Sequence, residues 1–241
     1  MTRHRMLPLY EAKMIHHYDH RWATYEPDGS TRDVTIEEKR DPNFVVQPRY
    51  WVREEVVAQA LAGVSDAGEW LLGIRDVARN TDERTVISAR FPRAAVGNNL
   101  PVIVGAADER RLAANLSSFA MDFLGRPKVG GTHVNFFIAN QLPVLPPTAY
   151  EERSPWSAGT IGEWVDERVD FLTAAWGYES AREAARADLD AGFFHLYDIS
   201  RDDVDYIMDT FPIVKRKDEA AHGDYRTKRL ILAAYDALAE H

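Results

Sequence analysis

The spacing of apolar residues changes character near residue 147. Before that point, short apolar runs are punctuated by turn chemistry: PDGS at 27 to 30, DPN at 41 to 43 and VGNN at 96 to 99. The β-branched stretches RDVTI and RTVISARF predict short strands, and the apolar WLLGIRDVA predicts a buried one. Two segments carry helical spacing: REEVVAQALAG, closed by Gly63, and ERRLAANLSSFAMDFLG, closed by Gly125. LPVLPP at 142 to 147 then enforces an extended exit through its prolines.

Beyond the prolines, IGEWVDERVDFLTAAWGY, ARADLDAGFFHLY and RLILAAYDALAE place apolar residues at helical intervals. SRDDVDYIMDTF begins with Ser200 and an acidic first turn, the signature of a capped helix start. Trp164, Phe171, Phe193, Phe194 and Tyr197 are the natural core candidates there. The pattern predicts an α+β protein: a mixed α/β domain over 1–147 followed by a helical C-terminal region over 148–241.

The chain is 241 residues long and 45% hydrophobic, enough for a packed core. No apolar run approaches the roughly 20 residues needed to span a bilayer. The start MTRHRMLPLYE lacks the apolar centre of a signal peptide. Together with the absence of cysteine, which excludes disulfides and Cys-ligated metal, this predicts a cytoplasmic location and no membrane partner. The net charge of −9 argues against nucleic acid until it is divided along the chain. Residues 1–150 hold 18 Lys plus Arg against 18 Asp plus Glu, whereas residues 151–241 hold 11 against 20. All of the acidic excess lies in the last third. The first part also favours Arg over Lys, 15 to 3, and Arg suits bidentate contact with phosphates and guanine edges.

KMIHHYDHRW, at 13 to 22, crowds His16, His17 and His20 around Asp19. On a helix His16 and His20 would share a face, as in zinc proteases. That chemistry needs a glutamate general base directly after the first histidine, and His17 stands there instead. Metal is therefore not expected.

Taken in order, several segments resemble the C-terminal target-recognition region of the N6-adenine DNA methyltransferases of type IIG and related restriction or phage-defence systems. LPLYEAKMIHHYDHRWATY resembles that region's lead-in, PRYWV its next strand, and WLLGIRDVARNTDERTVISARFP its most distinctive block. LAANLSSFAMDFLGRPKVGGTHVNFFIANQLPVLPP resembles the helix, glycine turn and proline exit that close the recognition fold. FHLYDISRDDVDYIMDTFPIVKRKDEAAHGDYRTKRLIL resembles the helical tail of the same enzymes, so the resemblance covers most of the chain. The family's Asn-Pro-Pro-aromatic tetrapeptide, which holds the flipped adenine, is absent. Pro146 and Pro147 are flanked by Leu145 and Thr148. No Gly-rich turn suited to S-adenosylmethionine is visible either, so no cofactor is expected in this chain. The methyl donor is expected in a separate methylase domain.

The resemblance implies double-stranded DNA and a methyltransferase domain or subunit as partners. Around the glycine turn it makes Lys128, Gly130, Gly131, Thr132, His133 and Asn135 candidate DNA contacts, with Val129 and Val134 facing inward. In RDVARNTDERT, Arg75, Arg79 and Arg84 either face the duplex, held by Asp76, Asp82 and Glu83, or form an internal salt-bridge lattice. His17 and Arg21 of the lead-in, read as backbone supplied by a strand, complete the candidates. Lys215, Arg216 and Lys217 are a solvated basic triplet or a phosphate contact. Two other readings compete: an interaction module whose acidic helices form an assembly surface or DNA mimic, and metal-dependent hydrolysis through His16, His20 and Asp19.

Overall fold

The computed structural model describes residues 4–64, 68–174 and 176–240. In chain order the first part runs through β1 (Met6–Tyr10), a 3-10 turn at Ala12–Met14, β2 (Ala23–Tyr25), β3 (Thr31–Asp33), α1 (Ile36–Arg40), β4 (Trp51–Arg53) and α2 (Glu54–Leu61). It continues with β5 (Trp70–Ile74), β6 (Ser88–Pro92), β7 (Ala95–Val96), β8 (Val102–Ile103), α3 (Glu109–Ser117), α4 (Phe119–Gly125) and the single turn α5 (Phe136–Ala139). The helical part comprises α6 (Ile161–Ala174), α7 (Glu179–Leu196), α8 (Arg201–Asp209), α9 (Pro212–His222) and α10 (Arg226–Ala239). Helix takes 47% of the described residues and strand 15%, in small sheets, which makes the fold α+β.

β5 is the centre of an antiparallel sheet ordered β6-β5-β8. Its unbroken apolar run has a simple cause, because both of its faces are covered. Leu71 joins Tyr10, Met14, Phe91 and Leu100 in one cluster, while Leu72 and Ile74 join Val86, Leu116, Met121 and Leu142 in another. Gly73 lies under the first cluster, where an added Cβ would fall 2.8 Å from Leu100 Cδ1 and 2.9 Å from Phe91 Cε1. The second sheet, β4-β1-β7, is antiparallel on one side of β1 and parallel on the other, and β2-β3 is a hairpin turning at Gly29 with φ +83°.

Several sequence expectations change in detail. RDVTI is a strand only through Asp33. Thr35 then caps Glu38 N and the Glu38 carboxylate returns to Thr35 N, a reciprocal cap that starts α1. RTVISARF becomes strand only from Ser88. ERRLAANLSSFAMDFLG is two helices, because Ser118 is extended at φ −69°, ψ 152°. Its hydroxyl accepts from Met121 N, and Phe119 N donates to Asp190 on α7 at 2.8 Å, so the buried carboxylate takes a donor that an unbroken helix would withhold. Gly125 is the last residue of α4, as expected, but it keeps helical angles (φ −80°, ψ −37°) and hands the chain to a 3-10 turn over Arg126–Lys128 rather than forming a left-handed cap. Its missing side chain instead admits Val86 and Leu142.

After α5, residues 143–146 run without helix or strand, with Pro146 extended at φ −67°, ψ 153°, but the expected extended exit stops there, because Pro147 opens a 3-10 turn over Pro147–Tyr150. Packing continues across this exit. Ala114 of α3 shares a cluster with Trp164, Val165 and Phe193, and Phe119 and Ala120 of α4 share one with Phe194, Ile207 and Phe211. Of the aromatic core candidates, Trp164, Phe193 and Phe194 are buried and Tyr197 is half-buried, whereas Phe171 is exposed on the outer face of α6. Among the described residues no helix is long and apolar enough to cross a membrane.

Candidate nucleic-acid interface

The glycine turn is mounted on the edge of the β5 sheet region by its two flanking valines. Val129 and Val134 are fully buried beside Val86 and Met121, which leaves the four residues between them outside. Ala78 N donates to Thr132 O at 3.1 Å, and Val134 N donates to Asp76 O at 2.6 Å, so the turn is laced to the segment after β5. His133 Nδ1 lies 2.8 Å from Asp76 Oδ2 with more than half of its side chain exposed. Asn135 accepts from Ile138 N through its side-chain oxygen and caps α5, which leaves its amide nitrogen free to donate outward.

Lys128, Gly130, Gly131, Thr132, His133 and Asn135 thus share one exposed surface, and Arg79 is exposed on the segment that follows the bonded Asp76–Ala78. Gly130 and Gly131 adopt no left-handed φ, and an added Cβ at either would meet nothing within 4 Å. The turn's own conformation does not demand glycine there. What glycine does provide is an uncovered backbone that another molecule can approach. Phe136 and Phe137, 69% and 74% exposed, stand directly beyond Asn135. Sequence reasoning passed over them because a paired aromatic reads as core. Asn135 starts α5 and Asn140 ends it after a single turn, which leaves too little helix to bury both rings.

The remaining candidates face inward. Arg75 donates from Nε to Ile15 O at 2.9 Å, and burial lowers its pKa to about 10. Arg84 donates from Nε to Asp122 at 2.7 Å and from Nη2 to Ser117 O, with only 10% of its side chain exposed. Both arginines are turned inward, but only Arg84 does so through a salt bridge, and Arg75 is held by a backbone carbonyl. Arg21 donates to the carbonyls of Asp41 and Lys39.

The lead-in around His17 is a turn, not a strand. His16 and Asp19 exchange backbone hydrogen bonds at 2.8 and 2.9 Å, and Tyr18 takes φ +57° to close the loop. Asp19 accepts from Arg21 N and from Lys39 Nζ, whose ammonium also lies over the rings of Trp22 and Trp176. Burial is the first cause of low pKa values at the three histidines, about 3 for His16, about 4 for His20 and well below the ordinary value for His17. All three are neutral at pH 7, so none attracts phosphate as a cation. Two of the basic triplet are engaged, Lys217 with Glu83 and Lys215 with Asp209. Among the described residues no cluster of three or more His, Cys, Asp or Glu could hold a metal ion. The chain matches no family model, no curated protein and no solved structure.

Proposed function

We propose that the chain is a DNA target-recognition module of an N6-adenine methyltransferase of the restriction or phage-defence kind, positioning a methylase domain on duplex DNA. One observation carries the reading: the turn from Lys128 to Asn135 is an exposed set of donors on a firmly packed mount, with Arg79 beside it. Recognition needs side chains held in place before the duplex arrives, because ordering flexible ones on binding is entropically costly. The buried valines and the bonds to Asp76 and Ala78 supply that support. Lys128 is suited to a phosphate, the Gly130–Gly131 backbone to a close approach, and His133 and Asn135 to base edges.

The glycine pair does not fit the phosphate- or cofactor-cradling turn that S-adenosylmethionine would need. Gly130 and Gly131 follow a 3-10 turn and lead into a single helical turn, not from a parallel strand into a helix. On this reading the methyl donor is held by another domain. A second reading, docking without DNA contact, is favoured by an apolar groove of about 490 Å3 beside the same turn, bordered by Val104, Phe136 and Val144.

A salt titration of duplex binding by fluorescence anisotropy separates the two. Duplex recognition requires affinity to fall steeply with salt, and Lys128→Ala to reduce the slope by about one unit. His133 and Asn135 substitutions are expected to change discrimination between sites by roughly 1–3 kcal/mol if they reach base edges. Absence of duplex binding at low salt would leave the docking reading.

A further inference from the structure

A cleft of about 420 Å3 lies between the sheet-bearing half and the helices, within the range of about 300–1,000 Å3 usual for small-molecule sites. His17 enters it from the tight turn, Arg84 from the segment before β6, and Arg186 from α7. Two of these three are anomalous. His17 is 8% exposed, yet neither ring nitrogen has a hydrogen-bond partner. Buried polar atoms are almost always satisfied, so an orphaned imidazole facing a cavity calls for a group inside that cavity. Arg186 makes no ion pair or hydrogen bond among the described residues, and its Nε is buried without a partner. Arg84 is bonded at Nε and Nη2, which leaves Nη1 for another acceptor.

The acids around the cleft are already engaged. Asp19 pairs with Lys39, Glu183 with Arg226 and Glu83 with Lys217, while Asp218 accepts from Thr227 N. Asp190 accepts from Phe119 N, and its pKa is pushed up to about 6, chiefly by burial. Glu179 stands 3.9 Å from Arg182. The aromatic faces are engaged as well: Trp22 lies between His16 and Lys39, Trp176 has Lys39 and Arg182 over it, and Phe119 carries Arg84. With these three rings occupied, the hydrogen-bonding capacity that remains unused at the cleft is cationic and donor-rich.

We infer that the cleft binds the phosphate group of a small ligand, held by Arg186 and Arg84 Nη1 with an N–H from His17. Two guanidinium groups directed at one anion favour a dianionic phosphate over a carboxylate. The same chemistry is presented by a free phosphate monoester and by the terminal phosphate of a nucleic-acid strand. The inference stands independently of duplex recognition, because none of its three residues lies on the glycine-turn surface.

Calorimetry on the full chain, titrating inorganic phosphate with ionic strength held constant by chloride, is expected to show one saturable site. Arg186→Gln removes charge-assisted hydrogen bonds and is expected to weaken it by about 10- to 100-fold. His17→Phe controls for folding. It fills similar space without unmet nitrogens, so the melting temperature is expected to hold or rise while phosphate affinity falls by about tenfold. A short oligodeoxynucleotide with a 5′-phosphate, compared with its 5′-hydroxyl form, distinguishes the sources. Preference for the phosphorylated end supports a nucleic-acid terminus, and saturable phosphate binding without that preference supports a free monoester. The inference is overturned if the wild-type chain gives no saturable phosphate heat, or if both variants bind phosphate as the wild type does.

Discussion

The glycine-turn surface and the cleft hold similar residue types under opposite conditions. Lys128, Arg79 and His133 on the turn surface are solvated, and only His133 has an internal partner, Asp76. Arg84, Lys39 and His17 at the cleft are withdrawn from water, and the first two are locked to Asp122 and Asp19. A charge at the surface can be offered to a partner at little expense to the fold. A charge in the cleft is part of the fold, and removing its partner leaves it stranded in a poor solvent. The comparison teaches that commitment, more than residue type, separates a group available for recognition from one that holds the scaffold.

The harshest way to test that difference is Asp122→Ala. Asp122 is fully buried and accepts from Arg84 Nε, Thr85 N and Arg126 Nη2, so it ties the strand-leading segment to α4. Deleting it strands a buried guanidinium and an amide, and urea denaturation is expected to show a loss of about 3–5 kcal/mol. A loss below about 1 kcal/mol would mean that the Arg84 pair behaves like a surface ion pair, and the distinction between the two regions would fail.

Acid probes the same region with a smaller effect. The unfolded histidines titrate near 6.5, whereas buried His16, His17 and His20 titrate well below that. Between the two values only the unfolded chain takes up protons, so these groups cost nothing above pH 6.5 and destabilise progressively below it. Asp190 has the opposite sign. Its native pKa of about 6 exceeds the ordinary 3.8, so the native state gains relative stability as pH falls through 6. Three histidines outweigh one aspartate, and at about 1.4 kcal/mol per group per pH unit the net loss from pH 7.5 to 5.5 is expected to be about 3 kcal/mol. Urea midpoints unchanged over that interval would show the imidazoles to be solvated.

Legibility in the sequence follows the same division. Features governed by neighbours within one element could be read: the run of β5, the Ser200 cap, the helical periods after the prolines, and Val129 and Val134 turned inward around an outward loop. Features governed by a distant partner could not. Arg84 depends on Asp122, Arg75 on the Ile15 carbonyl, and the break at Ser118 on Asp190, so no local pattern announces them. The turn at His17 and Tyr18 escaped for a related reason, since its closure needs φ +57° at a tyrosine, which local propensity disfavours. The exposed candidates of the glycine turn were therefore more legible than the cleft, whose side chains are set by partners far along the chain.

Two glycines give the finest contrast. At Gly125 an added Cβ would lie 2.8 Å from Val86 Cγ2 and 3.0 Å from Leu142 Cδ2, both in the core beside α4. Gly125→Ala is therefore expected to lose about 1–3 kcal/mol through overpacking. Gly131 has open space around it and no left-handed φ, so Gly131→Val is expected to change stability by no more than about 0.5 kcal/mol. If the glycine backbone meets a phosphate, however, a branched side chain would stand where the duplex must come, and duplex affinity is expected to fall by about tenfold or more. Measuring urea stability and duplex anisotropy on both variants makes the outcomes separable. A Gly131→Val chain that is as stable as wild type and binds duplex equally well would remove the glycine backbone from the proposed recognition surface and leave Arg79, Asn135 and the exposed phenylalanines to account for the binding.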